Sequence, residues 1–189
     1  EYPFPSAIED SFAGLKWAAE NKKSIAGEEV PLIVAGDSAG GNIAAVMTLR
    51  ARDQGGPRID YQVLVYPVTD CDFDRQSYVA PENQLLLNRD TMIWFWNHYL
   101  PDGDRTHPDA SPLRARNLTG LPPALIYLAE HDPLHDEGAE YATALKNAGV
   151  EVEISVAEGQ MHAFFQMANI LPGFDAGVAY VSERINAHI

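Results

Sequence analysis

Apolar and polar positions follow two rhythms along this chain. Ile8, Phe12, Leu15 and Ala19 recur at helical spacing after Ser6, which predicts an amphipathic helix fading between Asn21 and Ser24. Ser6-Ala7-Ile8-Glu9 has the form of a capping box at its start. Pro31-Leu32-Ile33-Val34-Ala35 is a short unbroken apolar run, the pattern of a strand buried on both faces. A helical pattern then runs from Gly40 to Arg52 and is stopped by Gly55-Gly56-Pro57. Tyr61 to Val68 reads as a second strand, and Ala124 to Ala129, set off by Leu121-Pro122-Pro123, as a third. Gly138 to Ala148 is a helix closed by Gly149. Val150 to Ala157 is a fourth strand, and a last helix covers roughly Asp175 to Ala187.

Strands alternating with helices imply crossover connections, hence an α/β fold with a mainly parallel sheet. No internal repeat or low-complexity tract divides the sequence, so residues 1–189 read as a single domain. Residues 69–119, Thr69 to Thr119, form a long insertion between the second and third strands, with a helix near Thr91 to Tyr99 rich in Trp94, Phe95, Trp96 and Tyr99. An insertion after a parallel strand sits at the carboxyl edge of the sheet, where ligands bind. It is therefore a candidate pocket wall, with Trp94 and Phe95 as candidate substrate contacts. The competing expectation is that these aromatics fill core.

Gly36-Asp37-Ser38-Ala39-Gly40 carries the sharpest chemistry. A Gly-x-Ser-x-Gly pentapeptide with a strand before it and a helix after it has the context of a nucleophile elbow. Turning from strand to helix so abruptly strains the serine backbone and predicts that side chains two positions to either side would collide. The Ser38 hydroxyl then stands at a helix N-terminus, where free N–H groups, that of Ala39 among them, can receive an oxyanion. A serine hydroxyl needs an adjacent base, usually a histidine oriented by a carboxylate. The third strand runs into Glu130-His131-Asp132-Pro133-Leu134 and the fourth into Gly159-Gln160-Met161-His162. Both groups fall past strand carboxyl ends, on the same edge as Ser38. His162 is the favoured base and Asp132 the favoured acid, with Glu130 and Asp136 in reserve. His98 and His107 lie in the insertion, and His188 lies at the exposed chain end. Asp37 is too close in sequence to be the acid for Ser38; it is expected to order the elbow or to contact substrate.

Two metal readings fail on their own chemistry. His131 and His135 have zinc-helix spacing, but Pro133 between them opposes a helix and no Glu stands as base. Asp70-Cys71-Asp72-Phe73-Asp74 imitates the start of a calcium loop, yet Arg75 replaces the required glycine and Pro81 the bidentate glutamate. Neither metal nor cofactor is expected.

Apolar residues make up 46% of the chain and charged ones 21%, enough for a conventional core. Thirteen Lys and Arg against twenty-seven Asp and Glu leave a formal net charge of −14, which argues against nucleic acid and anionic membranes as partners. No run of apolar residues is long enough for a membrane-spanning helix. The single Cys71 rules out an internal disulfide and fits a reducing, cytoplasmic compartment.

Taken in order, Glu1-Tyr2-Pro3-Phe4-Pro5 with Glu9-Asp10, Gly36 to Asn42, Ser111-Pro112-Leu113, Asp132-Pro133-Leu134 with Asp136-Glu137-Gly138, and Gly159-Gln160-Met161-His162 with Phe164 resemble the hormone-sensitive-lipase-type esterases of the α/β-hydrolase fold. The resemblance implies a serine carboxylesterase for short- to medium-chain esters, a small-molecule substrate, and Ser38, Asp132 and His162 as nucleophile, acid and base. It also implies two departures. Ala163 stands where the family has Gly. The family's His-Gly-Gly-Gly oxyanion loop has no counterpart before Ser38, so the chain reads as the C-terminal part of the fold, without the first strands and cap. The strand at 31–35 would then offer an apolar edge for self-association or a covering chain. An inactive fragment and a ligand-binding receptor are the rival readings. The gibberellin receptors of plants, which resemble these esterases, have lost the catalytic histidine, whereas His162 is present here.

Overall fold

Four strands lie side by side in the order in which the chain makes them. A computed structural model describes residues 2–188; Glu1, the first residue of the opening motif, lies outside the described residues. The strands are β1 (Ile33–Asp37), β2 (Tyr61–Val65), β3 (Ala124–His131) and β4 (Val152–Met161). All neighbouring pairs are parallel, in the order β1-β2-β3-β4. The helices are α1 (Ser6–Ala26), α2 (Ala39–Asp53), α3 (Gln76–Val79), α4 (Arg89–Tyr99), α5 (His135–Asn147) and α6 (Pro172–Asn186).

The apolar stripes dictate the layers. Leu64, Ile126 and Leu128 on one sheet face pack with Ala45 and Leu49 of α2 and with Tyr141 and Leu145 of α5. Val63, Val65, Leu125 and Tyr127 on the other face pack with Phe164 and with Val181 of α6. Ile8, Phe12 and Leu15 of α1 pack against Val46, Met47 and Ala51, the outer side of α2. Burial of β2 is complete along its length, as expected for a strand with neighbours on both edges.

Several sequence expectations change here. The first strand starts at Ile33 rather than Pro31, and it is not buried on both faces: its residues are half-buried and Ala35 is exposed. It is one of the two edge strands among the described residues, with only β2 beside it, as β4 has only β3. The capping box does not form. Pro5 occupies the N-cap of α1, Ser6 is already helical, and no side chain caps the end. The second strand stops at Val65 because Tyr66 turns to φ 33°. The fourth runs on to Met161, which pairs with His131 beyond an irregularity in the β3–β4 register. The α5 helix begins at His135, three residues early, because the Asp132 carboxylate accepts the Leu134 N–H at 2.9 Å and shapes the turn into it.

The 69–119 insertion is ordered by polar as well as apolar contacts. Met92 and Trp96 of α4 pack with Tyr78, Leu87 and Leu134. Fully buried Asp70 is bracketed by Arg75 (2.5 Å) and Arg114 (2.6 and 2.7 Å). Burial alone would raise the Asp70 carboxyl, but the two guanidinium groups hold it below the ordinary aspartate value. The sequence that imitated a calcium loop thus spends its buried carboxylate on arginines. Among the described residues no helix is long and apolar enough to cross a membrane.

Candidate active site

Ser38 sits between β1 and α2 with φ 55° and ψ −119°, a conformation that L-residues rarely adopt. Two backbone bonds to the β2 side fix it there: Ser38 N–H donates to Val65 C=O at 2.9 Å, and Ser38 C=O accepts from Val68 N–H at 3.2 Å. The steric expectation for the flanking glycines is half right. A Cβ on Gly36 would run into the backbone carbonyl of Gly40, but a Cβ on Gly40 would meet nothing. The second tight position is Gly41, where a Cβ would lie 2.8 Å from Pro67 Cβ. Buried Asn42 secures the start of α2 by donating to the carbonyls of Val68 (2.9 Å) and Ala110 (2.8 Å).

The carboxyl ends of β3 and β4 deliver the other two groups. His162 is buried; its Nε2 lies 2.9 Å from Ser38 Oγ and its Nδ1 2.6 Å from Asp132 Oδ2. Asp132 is fully buried, and its other oxygen receives the Leu134 N–H. The structure thus brings Ser38, His162 and Asp132 into one hydrogen-bonded chain. The reserve carboxylates serve elsewhere: Glu130 accepts the Gly159 N–H at 2.6 Å and Asp136 the Ser77 N–H at 2.8 Å. Among the other histidines, His98 and His135 rest their Nδ1 on the carbonyls of Trp94 and Ala129.

Above the serine opens a cavity of about 780 Å³, lined by Ser38, Ala39 and His162 at its floor and by apolar residues of the insertion, including Leu86, Met92 and Phe95. Ala39 is the first residue of α2, so its N–H has no carbonyl one turn back within the helix. Of the two aromatic candidates, Phe95 lines the cavity, whereas Trp94 does not; it is 55% exposed, with its ring tilted against that of His98, a residue of the lining. Asp37 does not line the cavity either. Its carboxylate receives Gln166 Nε2 at 2.5 Å and the Tyr66 hydroxyl at 3.4 Å.

The family profile of the alpha/beta hydrolase fold matches residues 1–166. The chain belongs to the α/β-hydrolase family. It is 42% identical to a carboxylesterase of Mycobacterium tuberculosis over 176 residues, 91% of this chain and 55% of that protein. It is 35% identical to an ethyl acetate hydrolase of Pseudomonas putida, covering all of this chain and 60% of the other. The crystal structure of a thermostable esterase from Pseudomonas putida superposes with a TM-score of 0.92 at 38% identity, over 98% of this chain and 60% of that one. This α/β-hydrolase chain therefore spans little more than half the length of the relatives it matches.

Sequence reasoning did not anticipate the roles of Tyr66 or Gln166. Ala163 has a local explanation: its φ of 68° lies in the left-handed region, which accounts for the glycine that the resemblance leads one to expect there. Glu137, quoted only within a motif, is a fully buried carboxyl that accepts the N–H of Thr69 (2.7 Å) and Asp70 (3.3 Å) and the hydroxyl of Tyr78 (3.0 Å). It clamps the base of the insertion to α5.

Proposed function

We propose that this chain carries the nucleophile, base and acid of a serine carboxylesterase acting on esters with short to medium acyl chains. The observation that carries the reading is the position of the His162 ring, within hydrogen-bond reach of Ser38 Oγ on one side and Asp132 on the other. Names of relatives such as carboxylesterase and ethyl acetate hydrolase support the bond type. The apolar lining of the cavity supports an acyl or alkyl group as its occupant.

With the proton on Nδ1 donated to Asp132, Nε2 carries the free lone pair that faces Ser38. As Ser38 Oγ attacks the ester carbonyl carbon, Nε2 takes the hydroxyl proton and Asp132 stabilises the resulting imidazolium. The carbonyl oxygen becomes an oxyanion, for which Ala39 N–H is one donor. Collapse breaks the bond to the alkoxy oxygen, which leaves as alcohol with the proton from His162. Water then attacks the acyl-serine, giving its proton to His162, and the acid departs as Ser38 recovers its hydrogen. No cofactor enters this sequence. In the same reading, the insertion supplies one wall of the pocket, and the outer edge of β1 is where a second chain or copy adds.

Hydrolysis of p-nitrophenyl butyrate by the chain and by Ser38→Ala tests the reading. The substitution is expected to abolish turnover above background; retained turnover would defeat the assignment.

A further inference from the structure

The base sits on the least regular part of the site. Strand β4 ends at Met161, Ala163 takes a left-handed conformation, and a single 3-10 turn at Phe164–Gln166 follows before the chain reaches α6. A loop of this kind does not by itself hold an imidazole to the fraction of an ångström that proton transfer requires. Phe164 is fully buried and anchors the loop in the core below. Two further groups grip it from the side.

Tyr66 is the first. Its φ of 33° swings the residue out of the β2 direction, and its N–H donates to Tyr127 C=O at 2.7 Å. The ring then lies against two members of the histidine loop, with centroids 4.6 Å from the His162 ring and 5.6 Å from that of Phe164. Asp37 is the second. It directly precedes the nucleophile, yet its carboxylate holds Gln166, 129 positions away at the far end of the 3-10 turn. Tyr66 and Gln166 approach the same oxygen, Oδ2. Neither Asp37 nor Tyr66 lines the cavity.

We propose that Asp37 and Tyr66 are positioning residues for His162, clasping the loop that bears the base to the elbow that bears the nucleophile. The inference rests on the esterase reading above, and it adds two residues that act without touching substrate. The hold is geometric rather than a matter of charge. One amide oxygen has the two lone pairs needed to accept both hydrogen bonds, so asparagine at position 37 preserves the clasp and alanine removes it. At Tyr66 the ring does most of the holding, because its hydroxyl contact to Asp37 is long at 3.4 Å.

The test is covalent labelling of the chain by a fluorophosphonate, which reads the reactivity of Ser38 without an ester. The maximal inactivation rate and the half-saturating probe concentration are measured separately, on protein shown to be folded by circular dichroism. Asp37→Ala is expected to lower the maximal rate about 10- to 100-fold, the scale of a misplaced catalytic group, with half-saturation unchanged. Asp37→Asn is expected to restore a rate close to that of the unmutated chain. If Asp37→Ala does not fold, the Tyr66 pair decides: Tyr66→Leu slows labelling and Tyr66→Phe does not. Labelling of Asp37→Ala at the unmutated rate overturns the inference and leaves the esterase reading standing. So does an Asp37→Asn variant as slow as the alanine one, since the effect would then follow charge; equal rates for Tyr66→Leu and Tyr66→Phe do the same. An unmutated chain that labels no faster than Ser38→Ala overturns the esterase reading itself.

Discussion

Gly36 and Gly40 touch backbone to backbone across the elbow, and only the first of them has no room for a methyl group. The asymmetry separates two positions that the pentapeptide treats alike. Gly36→Ala drives a Cβ into the carbonyl of residue 40 and is expected to cost about 1–3 kcal/mol or more, the scale of overpacking. Gly40→Ala adds a methyl group in open space within the first turn of α2. Gly40→Ala is expected to be neutral or to stabilise by about 0.4–1 kcal/mol through reduced freedom of the unfolded chain. Urea unfolding of both variants checks this; equal losses would contradict it.

Asp132 uses one oxygen for the Leu134 N–H and the other for His162. In Asp132→Asn the lone amide oxygen goes to Leu134, and the NH₂ group then faces Nδ1. That forces the imidazole proton onto Nε2, where it cannot accept from Ser38. By this tautomer argument kcat is expected to fall by about 10⁴-fold, with little change in fold. Steady-state hydrolysis of p-nitrophenyl butyrate beside a thermal melt measures it. Near-normal turnover would show that the carboxylate does not orient the base.

Ala163 carries a left-handed backbone next to the base. Glycine relieves about 1–2 kcal/mol of strain there and gives back about 0.5–1 kcal/mol in unfolded-state entropy. Ala163→Gly is therefore expected to be neutral or slightly stabilising and to leave labelling by a fluorophosphonate intact. A clear loss of stability in denaturant would mean that the methyl group packs usefully.

Burial pushes the Glu137 carboxyl up to about 8 from an ordinary 4.5, against hydrogen bonds from Thr69, Tyr78 and Asp70 and the positive field of Arg75. The folded protein therefore holds a proton that the unfolded chain releases near 4.5. This contribution is complete below pH 4.5 and is lost as pH rises through about 8, so stability falls across that window. The Asp70 pairs act in the opposite sense and outside it: their contribution is present above the ordinary aspartate value of 3.8 and disappears in more acidic solution. Glu137→Gln mimics the protonated acid, since its oxygen can accept from Thr69 and its NH₂ group can donate to Tyr78. Denaturant midpoints from pH 5 to pH 8 are expected to decline for the unmutated chain and to flatten in the variant.

The parts of this molecule that the sequence discloses are those whose cause is local. Gly-x-Ser-x-Gly between an apolar run and a helix can do little other than turn sharply. Residues that directly follow parallel strands must emerge on one edge, which is why Asp132 and His162 can be paired with Ser38 before any coordinates exist. The unbroken apolar run of β1 reports hydrophobicity and not burial: it predicts cover on both faces, where the strand is half-buried, while its open edge is the one that the resemblance leads one to expect. The α1 cap was misread because Ser6 satisfies the pattern one position too late, after Pro5. Trp94 and Phe95 are adjacent and equally aromatic; only the rotation of α4 decides that Phe95 lines the cavity and Trp94 does not. Tyr66 and Gln166 carried no signal, since their partners lie tens of residues away and neither forms a recognisable spacing.

The two clips from Ser38 to Val65 and Val68 have a mechanical consequence. Among the described residues strand β1 is bordered on a single side, as β4 is, so its outer residues are a place for the sheet to fray wherever nothing covers that edge. The serine does not depend on them: its own amide and carbonyl are moored to the neighbouring strand and the segment that leaves it. Amide exchange of the chain by itself should therefore find β1 breathing while the hydroxyl-bearing residue stays still. The reactive atom, in other words, is berthed on the interior of the sheet although it is carried by its rim.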